Sequence, residues 1–202
     1  LALGICGTDH ELMRGAYGWA PPQRQRLIIG HESLGRVERA PAGSDFANGD
    51  LVVGIVRRPD PLPCECCAVG EWDMCRNGGY TEHGIKQLDG FGAEFFTVPA
   101  DAAVKLDAKL QRTGVLLEPT SVVAKAWEQI ERIAARAQWR PRTVLITGAG
   151  PIGLLAALLA VLRNFEVHVA DIVRDGIKPE LVKQLNATYY CDDIAALNLQ
   201  PD

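Results

Sequence analysis

The apolar run Thr143-Val144-Leu145-Ile146 leads directly into Gly148-Ala149-Gly150-Pro151-Ile152-Gly153, and a continuous apolar stretch follows. A buried strand, a glycine turn and an apolar helix in that order open a parallel βαβ unit. The spacing predicts a helix over residues 154–163, a strand over 166–170 and a weaker helix over 179–185, so the order is β-α-β-α. Gly148 permits the tight turn, Gly150 lets backbone amides approach a pyrophosphate, and Gly153 allows close packing of helix on strand. Asp171, at the end of the next strand, is placed to accept hydrogen bonds from a ribose 2′-hydroxyl and to repel a 2′-phosphate. NAD is therefore favoured; Arg174, three residues on, could accommodate a phosphate and keeps NADP as the alternative. Gly148, Gly150, Pro151, Ile152, Gly153, Asp171 and Arg174 are the candidate cofactor-binding residues.

Upstream the pattern differs. To about residue 109 the chain is rich in Gly, Pro and short β-branched runs, such as residues 36–38, 51–56 and 94–98, which predict a small, mostly antiparallel β domain. Residues 119–137 then carry Val122, Val123, Ala126, Trp127, Ile130 and Ile133 at helical spacing and read as a linking helix. Its Glu128, Glu131, Arg132 and Arg136 are expected to form a solvated face. Arg140-Pro141-Arg142 ends it, placing a domain boundary near residues 139–141. The predicted domains are residues 1–140 and 141–202. The second is about half of a doubly wound domain, and the opening Leu1-Ala2-Leu3-Gly4 carries no initiator Met, so a fragment truncated at both ends is expected.

Composition excludes several classes. A formal charge of −4 leaves no footprint for nucleic acid or an anionic membrane. The longest apolar stretch is about half of the roughly 20 residues a membrane-spanning helix needs. Four of the six cysteines, Cys64, Cys66, Cys67 and Cys75, crowd together, which favours a metal over disulfides and a reducing, cytoplasmic compartment. Cys191, at the end of a predicted strand, reads as a buried, inert thiol.

A second metal set is spread along the sequence. Gly4-Ile5-Cys6-Gly7-Thr8-Asp9 is followed by Gly30-His31-Glu32. A thiolate, an imidazole and a carboxylate suit a zinc ion with room for substrate.

Taken in order, the Gly-Ile-Cys-Gly-Thr-Asp segment, Gly-His-Glu, the cysteine cluster and Gly-x-Gly-x-x-Gly resemble the zinc-dependent medium-chain alcohol dehydrogenases. Val56-Arg57-Arg58-Pro59, Val69-Gly70-Glu71-Trp72-Asp73-Met74-Cys75, Gly84-Ile85 and Leu117-Glu118-Pro119 resemble the glucose (aldose) 1-dehydrogenase branch. The resemblance implies a mixed α/β protein: a GroES-like, mostly β catalytic domain followed by a Rossmann domain with a doubly wound parallel sheet. It implies that Cys6 and His31 hold a catalytic zinc with Glu32 or Glu118, that Asp9 orients His31, and that Thr8 contacts the reacting oxygen. It places Glu82 and Glu118 toward the substrate, with Val56 and Val122 where some relatives carry polar residues and Glu11 where the wider family has a relay histidine. A structural zinc is implied at Cys64, Cys67 and Cys75, with Asp60 as the fourth ligand and Cys66 as its competitor. The expected reaction is hydride transfer from an aldose C1 hydroxyl to NAD(P). Oxidation of a polyol or secondary alcohol is the close alternative, and an inactive zinc-stabilised fragment the other. A homo-oligomer is implied at full length.

Overall fold

The computed structural model describes residues 1–191, which form two compact units, Leu1–Glu118 and Pro119 onward.

In the first unit, strand β1 (Ala2–Gly4) leads into helix α1 (Gly7–Met13). Strands β2 (Glu32–Arg36) and β3 (Leu51–Gly54) follow, then β4 (Arg57–Arg58), the short helix α2 (Glu65–Ala68), β5 (Thr81–His83), β6 (Gln87–Leu88) and β7 (Ala103–Leu106). An antiparallel sheet runs β1-β2-β3-β7, and a smaller one runs β4-β5-β6. The register sets Gly4 opposite Glu32 in the first and Arg57 opposite Glu82 in the second. Leu34, Leu51 and Val53 form the buried core, with Leu106, Val115 and Leu117 against them.

Two expected strands differ. The run at residues 36–38 ends a strand instead of forming one, because β2 stops at Arg36 and Val37 turns back to bond Asp50 and Gly49. Residues 94–98 form no strand. The preceding Gly90, Phe91 and Gly92 amides bond the carbonyls of Ile28, Gly30 and Ile29, Phe96 packs on Phe91, and Phe95 is left exposed.

The second unit holds most of helix α3 (Leu117–Ala137), then β8 (Thr143–Thr147), α4 (Pro151–Leu162), β9 (Glu166–Ala170), α5 (Ile177–Gln184) and β10 (Thr188–Tyr190). The three strands are parallel in the order β10-β9-β8. The division falls at residues 118/119, whereas the sequence places it near 140, and the packing explains the difference. The apolar stripe of α3, Val123 and Trp127, is buried in the same cluster as Leu155, Ala157, Val167 and Val169, with Trp127 stacked on Phe165 at 5.0 Å. Its other face is charged, with Glu128 paired to Lys125 and Arg132.

Helix α4 starts at Pro151, three residues before the expected start, because proline's fixed φ suits the first helical position. Cys191 is half-buried, not buried, with an Arg174 nitrogen 4.0 Å from its sulfur. Residues 192–202 of the expected second domain lie outside the described residues. Among the described residues no helix is long and apolar enough to cross a membrane.

Candidate active site

Pairing of β1 with β2 brings the two halves of the first constellation together. Cys6 ends the segment after β1 and caps α1, while His31 and Glu32 enter β2. The Cys6 sulfur lies 3.1 Å from His31 Nε2, and the donor atoms of Cys6, His31 and Glu32 all fall within 4.8 Å of one another. Gly4 makes room for this set: a Cβ there would lie 1.9 Å from the Glu32 carboxylate. No reading of the sequence assigned Gly4 that role, which depends on the strand register.

Asp9 is fully buried and accepts a hydrogen bond from the Cys6 amide through Oδ2 at 3.0 Å. Its Oδ1 faces His31 Nδ1 at 3.5 Å, and neither of these buried atoms has a hydrogen-bond partner among the described residues. That places the carboxylate behind the imidazole, on the side away from Cys6. Burial raises the Glu32 carboxyl above its ordinary value, against His31 and with help from Asp9. Burial likewise raises Glu118, with Glu32, Asp9 and Glu82 adding to the rise and His31 opposing it. Two half-buried carboxyls beside a thiol and an imidazole form a donor set that a dication would relieve, and its chemistry fits zinc. Thr8 stands half-buried in the first turn of α1.

Glu82 is buried, and its Oε1 accepts from Arg57 Nε at 3.0 Å and Nη2 at 2.8 Å. Sequence reasoning placed Arg57 in a family-like segment and gave it no role at the site. The only signal of such a role is the Arg57–Glu82 cross-strand register, which the sequence does not show.

The cysteine lobe gathers Cys64, Cys67 and Cys75 with their sulfurs within 4.8 Å of one another. Cys66, next to Cys67 on α2, is not in this group. Asp60 is buried with Oδ2 3.9 Å from the Cys75 sulfur, and it accepts from the Leu62 and Gly79 amides at 2.8 and 3.1 Å. Gly79 is required there, since a Cβ would fall 2.5 Å from the Asp60 carboxylate. The Arg76 amide draws the Cys64 thiol down to about 6, whereas burial pushes Cys67 up to about 11. Three sulfurs and one fixed carboxylate match a closed tetrahedral zinc shell in kind.

In the second unit the three glycines divide their work. Gly148 adopts φ 94°, a left-handed conformation, and its amide bonds Ala170. At Gly153 a Cβ would lie 1.8 Å from the Gly148 carbonyl, while at Gly150 it would meet nothing within 4 Å. Open space at Gly150 suits close approach of a phosphate to the first turn of α4, where Pro151 and Ile152 are exposed.

Asp171 differs from expectation. Its Oδ2 accepts from the Ala149 amide at 2.7 Å and from Lys178 Nζ at 2.8 Å, and its Oδ1 accepts from the Val173 amide at 3.0 Å. Those bonds, Lys178 first, hold its carboxyl down at about 2. The carboxylate buttresses the glycine turn, and its charge is matched by a lysine that the sequence reading did not single out.

Known proteins resemble the chain along most of its length. Residues 1–108 match the alcohol dehydrogenase GroES-like domain family, and residues 111–202 match the glucose dehydrogenase C-terminus family. The glucose 1-dehydrogenase of Methanocella arvoryzae is 43% identical over 196 residues, covering 94% of this chain and 54% of that protein. Glucose 1-dehydrogenase 2 of Vulcanisaeta moutnovskia is 43% identical over 192 residues, covering 94% and 53%. Among solved structures, the Haloferax mediterranei glucose dehydrogenase in complex with NADP, Zn and gluconolactone superposes with a TM-score of 0.79 at 32% identity, covering 93% of this chain and 54% of that one. Galactitol-1-phosphate dehydrogenase from Escherichia coli gives a TM-score of 0.73 at 27% identity, covering 93% and 51%. The chain spans about half the length of the relatives it matches.

Proposed function

The chain belongs to the alcohol dehydrogenase family with a GroES-like domain, and from that membership we propose that it forms part of a zinc-dependent enzyme oxidising the C1 hydroxyl of an aldose with NAD(P). The observation that carries the reading is the meeting of Cys6, His31 and Glu32 with buried Asp9 behind the imidazole.

Cys6, His31 and either Glu32 or Glu118 would hold the catalytic zinc, and Cys64, Cys67, Cys75 and Asp60 the structural one. Zinc held at the first site supplies Lewis-acid polarisation of the sugar hydroxyl, and the nicotinamide supplies the hydride acceptor. Asp9 fixes the tautomer and direction of His31, as carboxylates behind ligating histidines do. Thr8, half-buried in the first turn of α1, would accept the hydrogen bond of the sugar hydroxyl and relay its proton toward water by releasing its own. Glu82, held by Arg57, would accept hydrogen bonds from the sugar's other hydroxyls. Glu32, beside His31 at the entry to β2, and Glu118, at the start of α3, would be the two alternative carboxylate donors to that ion.

Gly148, Gly150, Pro151, Ile152 and Gly153 would present backbone to the dinucleotide pyrophosphate. Lys178 cancels the Asp171 charge on which an NAD preference would rest, so both NAD and NADP are assigned as cofactors, with Arg174 near a 2′-phosphate. The likeness to a galactitol-1-phosphate dehydrogenase supports a second reading, oxidation of a polyol or secondary alcohol on the same scaffold. The gathering of Cys64, Cys67 and Cys75 into one metal-type donor group, in place of widely spaced pairs, supports a reducing, cytoplasmic setting. A homo-oligomer at full length remains part of the proposal.

Metal content per chain, measured on the parent and on Cys6→Ser and Cys67→Ser, tests the assignment. Two zincs, one lost with each substitution, are expected. Zinc lost only with Cys67→Ser would leave no catalytic ion, and a chain without zinc would end the proposal. A substrate panel followed at the nicotinamide absorbance separates aldose from polyol.

A further inference from the structure

A cluster of aromatic and cationic side chains in the first unit shares Glu82 with the candidate site and otherwise lies outside it. Arg57, bonded twice to Glu82, stands 4.2 Å over the ring of Tyr80. Lys86 Nζ lies 3.9 Å from that same ring and 6.0 Å from the ring of Trp19. Trp19 in turn meets Tyr17 edge-on, at 5.2 Å and 72°. Desolvation first, and then the charge of Glu82, raise the Tyr17 phenol above its ordinary value.

Tyr80 is occupied by two cations, whereas Trp19 is 48% exposed. Its backbone is nevertheless fixed: the amide bonds Ile85 at 3.0 Å, and the carbonyl accepts from Gln87 at 2.9 Å. A large indole on a fixed backbone, met edge-on by Tyr17 and left half in water, gives a binding surface less to order on contact.

We propose that Trp19 is the stacking wall for the pyranose ring of the aldose and a specificity-determining residue for it, an inference that rests on the aldose reading of the adjoining site. A pyranose chair presents a face of C–H groups and a rim of hydroxyls. The electron-rich face of an indole attracts those C–H groups. The rim hydroxyls find a carboxylate acceptor in Glu82 and an ammonium donor in Lys86. An acyclic polyol has no rigid C–H face and gains little from the same ring.

Kinetics and tryptophan fluorescence of the whole protein test this. Trp19→Ala should raise the KM for glucose about tenfold, the scale of one good aromatic contact, with kcat unchanged. Trp19→Phe, which keeps a ring, should restore most of the loss, and the KM values for an acyclic polyol and for the dinucleotide should not move. Glucose should also change the tryptophan emission of the parent, a signal lost in Trp19→Phe. An unmoved glucose KM in Trp19→Ala, or equal losses for glucose and the polyol, would overturn the assignment of Trp19 while leaving the aldose reading standing. A parent protein that oxidises the polyol and no aldose would overturn the aldose reading, and this inference with it.

Discussion

The Cys6 sulfur and the His31 Nε2 stand 3.1 Å apart although 25 residues separate them, and the opposite ring nitrogen of His31 faces Asp9. One imidazole is thus held between a soft donor and a buried carboxylate. With Nδ1 turned toward Asp9, Nε2 is the nitrogen left to bind a metal beside the thiolate.

Replacing Asp9 by Asn keeps the shape of that arrangement and removes its charge. Zinc affinity at the Cys6–His31 site should fall about 10- to 100-fold, the usual effect of losing the carboxylate behind a ligating histidine. Chelator competition on the parent and on Asp9→Asn reads this directly. Because the side-chain oxygen of Asn can still accept from the Cys6 amide, thermal unfolding should change little. Unaltered affinity would mean that Asp9 serves α1 as a cap and nothing more.

The glycine turn offers a paired comparison. At Gly153 an added methyl must displace the Gly148 carbonyl, which it would approach to 1.8 Å, whereas at Gly150 it enters open space. Gly153→Ala should destabilise the second unit by about 1–3 kcal/mol, the range for overpacking, and lower the midpoint of thermal unfolding. Gly150→Ala should leave that midpoint nearly unchanged and weaken dinucleotide binding in a titration. Equal midpoints for the two variants would contradict the division of roles.

Asp171 makes the second unit acid-sensitive. Its folded carboxyl titrates at about 2, below the ordinary 3.8, so the folded state favours the charged form more than the unfolded chain does. The stabilisation is complete above the ordinary value and is lost as pH falls from there toward 2. Lys178→Met should move the acid-unfolding midpoint to higher pH, and Asp171→Asn should flatten the pH dependence in that window. Circular dichroism across an acid titration measures both, and superimposable curves for parent and Lys178→Met would remove Lys178 from the account.

Some features were legible because their causes are local. The strand of residues 143–147, the turn at Gly148 and the helix after it follow from a run of apolar residues and the placement of three glycines. The α3 stripe was plain from its spacing only in part: Val123 and Trp127 are buried, whereas Val122 and Ile133, read as members of the same stripe, are exposed. What failed were features that need a partner. Residues 94–98 have the composition of a strand and find no ladder among the described residues. The helix read as a linker carries its buried stripe into the cluster of the second unit. Arg57, though part of the family-like segment at residues 56–59, and Lys178 were given no role, because a basic residue's task shows only when its acidic partner is placed beside it.

By itself the sequence determined the order of elements, the chemistry of the donors and the positions where only glycine fits a turn, since periodicity, side-chain type and φ preference belong to neighbouring residues. The tertiary structure alone decided that Gly4 yields space to Glu32, that Arg57 clamps Glu82, that Asp60 faces Cys75, and that Lys178 neutralises Asp171. Each of those depends on how register and packing bring distant residues within a few ångströms, and at that range contact forces and burial, not sequence spacing, set what a side chain can do.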